Sequence, residues 1–151
     1  LNIISYISNK TVRYEYIDKQ LALKHQIRII PAKTYYHSTS STLIQDILKY
    51  GLCKHSISKR QIYTGIEDTI YITTYPEKSW ADIAVEKYGG KPVYLKIKGY
   101  DIIKAGCKAY PDWEVEQPVS PNGTILTNKV THIVLLNCEC VEVSGYKYFT
   151  I

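Results

Sequence analysis

The chain predicts an α+β fold with its strands divided between separate sheets, and three observations carry that prediction. Between residues 34 and 89 a strand and a helix are followed by a second strand and helix, each helix stopped by glycine. From residue 92 onward almost every apolar stretch has the β-branched or alternating character of a strand. That order, two strand–helix units and then mostly strands, does not fit the regular alternation of a doubly wound parallel sheet.

Composition sets the outer bounds. With 151 residues, 45% of them hydrophobic, the chain has the size and apolar content of one ordinary domain, expected to span residues 1–151. The net charge is +5, but the 19 basic residues are spread along the chain, so the charge favours an anionic partner only weakly. No run approaches the roughly 18 apolar residues a membrane-spanning helix needs, and residues 1–10 lack the pattern of a signal peptide. A soluble protein is expected. Since no methionine is present, the numbering is expected to begin inside a longer product, after processing, or at the first ordered residue. Four cysteines, Cys53, Cys107, Cys138 and Cys140, are irregularly spaced in a chain with core enough to need no staples, and are expected to be reduced. Cys138 and Cys140 would share a strand face, but no second pair completes a metal site, so no metal is expected.

In chain order, residues 16–24 can form a short helix, and residues 26–30 and 34–37 read as extended on either side of Pro31. Ser40 or Ser41 can cap a helix whose stripe is Leu43, Ile44, Ile47 and Leu48, ending at Gly51. Residues 53–68 are polar and aperiodic, a long loop carrying Lys59 and Arg60; loops of that kind are often functional. Thr69-Ile70-Tyr71-Ile72-Thr73 is a strand, after which Pro76 opens a helix with Ala81, Ala84, Val85 and Tyr88 at helical spacing before Gly89-Gly90. A strand at residues 92–97 and a turn of helix at 100–103 follow, then strands at 113–119, 131–136, 139–143 and 147–151, with Asn122-Gly123 as a turn.

Within this order lie His37-Ser38-Thr39, the helix ending Gly51-Leu52, the strand Ile70-Tyr71-Ile72, the helix opening Lys78-Ser79-Trp80-Ala81 and the strand Val93-Tyr94-Leu95. As an ordered set, across residues 33–136, they resemble the ADP-ribosyltransferase fold, in the branch with a His, Tyr, Glu triad found in poly(ADP-ribose) polymerases and diphtheria-type toxins. The resemblance implies a split β-sheet core with two short helices, NAD as co-substrate, and transfer of ADP-ribose to a macromolecular acceptor with release of nicotinamide.

It also implies roles. His37 would bond the adenine-side ribose through neutral hydrogen bonds, with Ser38 and Thr39 beside it; His37 and Thr39 fall on one face of an extended segment. Tyr71 would stack on the nicotinamide ring, and Ser79 would bond its carboxamide. The tyrosine usual three residues after that serine is replaced by Asp82, so Trp80, or Tyr63 from the loop, would share in the stacking. The catalytic carboxylate would be Glu114 or Glu116, which strand alternation would put on one face, stabilising the oxocarbenium-like charge at the ribose and orienting or deprotonating the acceptor.

Asn122-Gly123-Thr124-Ile125-Leu126-Thr127 is similar to a segment of the RNA 2′-phosphotransferase family, which shares the fold and consumes NAD. The arginine that family uses would fall near Glu67, and Thr69 and Tyr71 replace its strand histidines. A 2′-phosphotransferase-like enzyme and a catalytically inactive NAD- or nucleotide-binding module therefore stand as alternatives. The acceptor, protein or nucleic acid, stays open; a monomer with no membrane partner is expected, in the cytoplasm or delivered as a toxin to that of a target cell.

Overall fold

The computed structural model describes residues 12–54 and 69–150. Strand β1 (Arg13–Tyr16) leads into helix α1 (Lys19–Leu23), and β2 (Thr34–Ser40) into a 3₁₀ turn, helix α2 (Ile44–Tyr50) and β3 (Leu52–Cys53). Strand β4 (Ile70–Thr73) precedes helix α3 (Lys78–Tyr88); β5 (Pro92–Lys98) precedes helix α4 (Gly99–Lys104). Then come β6 (Lys108–Pro111), β7 (Glu116–Val119), β8 (His132–Leu136), β9 (Cys140–Val141) and β10 (Gly145–Tyr148). The fold is α+β. The main sheet runs β10-β5-β2-β4-β8-β6, every neighbouring pair antiparallel, while β1-β7 and β3-β9 form separate two-stranded sheets. Among the described residues no helix is long and apolar enough to cross a membrane.

Side chains alternate across the main sheet, and register then decides which share a face. Tyr35 is opposite Ile97, His37 opposite Leu95 and Thr39 opposite Val93, while Ile72 is opposite Ile133 and Ile70 opposite Leu135. Tyr35, Ile70, Ile72, Leu95, Ile97, Ile133 and Leu135 are all buried in one core with Ile17, Ala22, Ile29 and Val119 from elements packed on this face. At about 2 kcal/mol for each fully buried Ile or Leu, this layer is the main stabilising term. The other face carries Tyr36, Ser38, Ser40, Tyr71, Thr73, Tyr94, Lys96, His132 and Val134, and it meets α3: Ser40 Oγ donates to the Gly89 carbonyl past the helix's last turn, and His132 bonds Glu77 at its start. Ala81 and Ala84 are buried on α3, and their small side chains suit close seating on the sheet.

Local chemistry sets the boundaries. Asp18 accepts a hydrogen bond from Leu21 N–H at 2.7 Å and so starts α1 at Lys19, leaving Tyr16 to β1, where the sequence pattern had continued the helix. Of residues 26–30, only Ile27 pairs, as a single bridge to Ala109. Gly51 closes α2 at φ +87°. Gly99 has no room for a side chain, because a Cβ there would lie 1.9 Å from the Ile30 carbonyl oxygen, and its N–H instead reaches the Lys33 carbonyl at 2.8 Å.

The cysteines depart from expectation: they form two disulfides, Cys53–Cys140 and Cys107–Cys138. The reason is sheet register. Cys53 stands directly opposite Cys140 in β3-β9, and Cys107 and Cys138 flank the β6-β8 end at a Cα separation of 4.9 Å. Cys107–Cys138 spans 31 residues, which in chain-entropy terms corresponds to about 3–4 kcal/mol. A Cys107→Ser/Cys138→Ser variant is therefore expected to lose about 2–4 kcal/mol in urea unfolding. An unchanged midpoint would mean that the bridge does not hold the native chain in solution.

Candidate functional site

Strand β2 pairs with β5 along its full length, from Thr34↔Lys98 to Ser40↔Pro92, but with β4 at one position only, Tyr36↔Thr73. Beyond that pair the two strands part. Thr73 Oγ1 donates to the Tyr36 carbonyl at 3.4 Å and to the Tyr75 carbonyl at 2.6 Å, closing the upper end of the opening. Just below, His37 Nδ1 lies 2.7 Å from the Tyr71 carbonyl oxygen. A carbonyl only accepts, so Nδ1 carries the proton, and in the neutral ring Nε2 is an acceptor.

A continued antiparallel ladder would have given the Tyr71 carbonyl to the Ser38 N–H. The imidazole has taken that place. Ser38, two residues beyond Tyr36, has no residue of β4 paired with it among the described residues. Its hydroxyl and that of Thr39 are buried, the residues being 8% and 0% exposed, and neither oxygen has a hydrogen-bond partner among the described residues. A buried polar group left unsatisfied costs about 1–3 kcal/mol, and two in succession at an opening in a sheet mark a place built for something other than stability.

The predicted site residues are distributed as follows. His37 and Thr39 share the core-side face, as alternation predicted; Ser38 points to the α3 side. Tyr71, opposite Val134, also has its ring on the α3 side, so the histidine and the tyrosine meet through the Tyr71 backbone while their rings belong to different faces. Ser79 is exposed in the first turn of α3 and Trp80 is half-buried beside it. Asp82, in the place of the family's tyrosine, is 2.9 Å from Lys78 in an i,i+4 ion pair. Tyr63, with Lys59 and Arg60, lies outside the described residues.

The paired-carboxylate expectation fails for Glu114 and Glu116. Asp112 Oδ1 accepts the Glu114 N–H at 2.9 Å, an Asp-turn that bends residues 113–115 and delays β7 to Glu116, so strand alternation does not relate the two acids. Glu116 is exposed opposite Tyr16 in the β1-β7 sheet. Glu114 stays with Asp112. Asp112 is buried at 4% exposure, and burial raises its carboxyl above the ordinary 3.8 despite the opposing Glu114 N–H and the charge of His132. Burial, and then the nearby Asp112, raise Glu114 in turn.

The sequence pattern missed the centre of this cluster. His132 Nε2 donates to Glu77 Oε2 at 2.9 Å, its Nδ1 lies 2.9 Å from Thr131 Oγ1, and its ring meets Tyr75 edge-on at 5.9 Å. Tyr75 OH donates to Glu77 Oε1 at 3.0 Å; burial, followed by the bond and charge of Glu77, raises that phenol. Glu77 occupies the N-cap position of α3 yet caps nothing, both its oxygens being committed to Tyr75 and His132. Tyr75-Pro76-Glu77 ahead of a helix and Thr131-His132 opening a strand were visible, but only the Thr73↔His132 register brings them together. Tyr71 and His132 share a face about 8 Å apart, two residues along and one strand across. The opening in the sheet thus has a neutral hydrogen-bonding end at His37-Ser38-Thr39 and, beyond its closed end, an acid–histidine cluster suited to proton transfer.

The chain matches no protein-family model, no curated protein and no solved structure.

The raised Asp112 carboxyl fixes a sign. Between its unfolded and folded pKa values the native state binds more protons, so stability falls as pH rises from about 4 through the folded value. Glu114 acts in the same sense. Asp112→Asn keeps an oxygen for the Glu114 N–H and removes the ionisation, so its plot of Tm against pH is expected to be flatter than the native one above pH 4. Superimposable plots would show that the Asp112 charge carries no such penalty.

Proposed function

We propose that this chain is an NAD-dependent ADP-ribosyltransferase, releasing nicotinamide and passing ADP-ribose to a macromolecular acceptor. The observation that carries the reading is the opening between β2 and β4, where His37 Nδ1 meets the Tyr71 carbonyl and where Ser38 and Thr39 bury hydroxyls that have no partner among the described residues. NAD fits such a place chemically, since its ribose hydroxyls and its carboxamide both donate and accept hydrogen bonds and so can satisfy two buried hydroxyls. Ser79 and Trp80 stand in the first turn of α3, on the same side of the sheet as Tyr71.

NAD brings the electrophilic ribose carbon and the leaving group; this chain's residues bind, orient and move a proton. The bond from ribose carbon to nicotinamide nitrogen breaks with its electron pair leaving on nicotinamide, the acceptor's nucleophile bonds the same carbon, and the acceptor's proton passes to a carboxylate. Glu114 suits that role better than Glu116, because it stays beside the buried Asp112, where burial and then that neighbour raise its carboxyl, whereas Glu116 lies on the outer two-stranded sheet. Two disulfides fit a chain that matures where thiols oxidise, which favours delivery into a cell over permanent residence in its cytoplasm.

Nicotinamide release from labelled NAD, with NAD affinity measured in parallel by calorimetry, tests the reading. His37→Ala is expected to weaken NAD binding about 10-fold, the loss of one or two hydrogen bonds. Glu114→Gln is expected to leave binding near native and to lower turnover about 100-fold or more, with Glu116→Gln close to native. Native protein that binds NAD but releases nothing is a binding module; one that neither binds nor cleaves it refutes the assignment.

A further inference from the structure

The excess positive charge looks scattered along the sequence, but the fold gathers part of it on one strip. In β5, Lys96 is opposite Tyr36 and Lys98 opposite Thr34; in β10, Lys147 is opposite Tyr94. All of these side chains therefore share the face of the sheet opposite the main core. Along the same strip three rings meet in sequence: Tyr36 and Tyr94 with centroids 5.8 Å apart at 70°, and Tyr94 and Phe149 4.9 Å apart at 62°. The three aromatics and Lys96 are half-buried, and Lys98 and Lys147 are exposed. Residues 91–98 and 144–150 carry Lys91, Lys96, Lys98 and Lys147 and no acid at all. On α3, which shares this face, Asp82 is paired with Lys78 and Glu77 with His132, while Glu86 is exposed.

We infer that the part of the α3-side face of β2-β5-β10 lined by these rings and lysines, beside α3, binds single-stranded nucleic acid, its bases stacking on Tyr36, Tyr94 and Phe149 and its phosphates meeting Lys96, Lys98 and Lys147. An acid-free row of lysines beside flat rings is complementary to a polyanion that also offers π-faces, a combination an acidic peptide lacks. A duplex keeps its bases stacked on one another and cannot use the rings. The strip ends at Tyr36, the one residue of β2 paired with β4, so a strand lying on it ends next to Ser38, whose side chain is on this same face at the opening. If that opening holds NAD as proposed, the bound strand is the acceptor; the binding itself does not depend on that reading.

Full-length protein is titrated without NAD against fluorescein-labelled dT12, U12 and a 12-base-pair duplex, with labelled poly-glutamate as a polyanion control, and anisotropy is recorded at several salt concentrations. Single strands are expected to bind at least 10-fold more tightly than the duplex or poly-glutamate, with a log–log salt slope of about −2 for three phosphate contacts. Tyr94→Leu and Phe149→Leu, which keep apolar bulk, are expected to weaken single-strand binding about 10-fold each, and Lys96→Gln/Lys147→Gln to flatten the slope by about 1.4. The variants' melting temperatures verify that they fold. The ratio of dT12 to U12 affinity decides between DNA and RNA. Absence of binding, or equal binding of all four ligands unchanged in the leucine variants, overturns the proposal; nicotinamide release, assayed separately, bears only on the transferase reading.

Discussion

The uneven pairing of one strand governs the rest of this molecule. β2 is fully laddered to β5 and joined to β4 at Tyr36↔Thr73 alone. A sheet interior ordinarily satisfies every backbone group on both edges of each strand. Here His37 takes the Tyr71 carbonyl that the ladder gives up, so the sheet opens without leaving that carbonyl buried and unpaired. The opening is possible because both flanks are held elsewhere: β2 by β5 and by the hydrogen bond from Ser40 to Gly89, β4 by its complete pairing with β8.

The energetics of the two faces differ in kind. The core side is an apolar layer interrupted at His37 and Thr39, and the disulfides lie where strand ends meet, across β3-β9 and beside β6-β8. The other side departs from the stability optimum in several places. Ser38 has a hydroxyl without a partner among the described residues, Glu77 gives up helix capping for Tyr75 and His132, and Asp112 keeps a carboxyl in a site that penalises its charge. Departures of this type concentrate where function is built, since binding partners or proton transfer supply what the free protein lacks.

Much of the architecture was legible because it rests on local rules. The alternation in Pro92–Lys98, the stop at Gly51 and the ends of α3 at Gly89 and Gly90 follow from side-chain period and from backbone freedom at glycine, and they appear where the pattern put them. The misses are equally specific. Residues 113–115 read as strand from composition, but a single side-chain bond from Asp112 to the Glu114 N–H turns the chain there. The cysteines read as unpaired because their spacing is irregular, yet a disulfide between strands obeys register, which spacing does not reveal.

By itself, the sequence determined the α+β class, the strands around residues 34–37, 70–73 and 92–97, and His37 and Thr39 as polar residues on one strand face, because each of these depends on residues a few positions apart. Only the tertiary structure decided that β2 and β4 separate beside His37, that His132 meets Glu77 across 55 positions, and that lysines dispersed through the chain line one aromatic strip. The physical reason is that pairing register and sheet order are non-local. They are fixed by which apolar faces can be buried together, and polar groups far apart in the chain are then brought into contact by that choice.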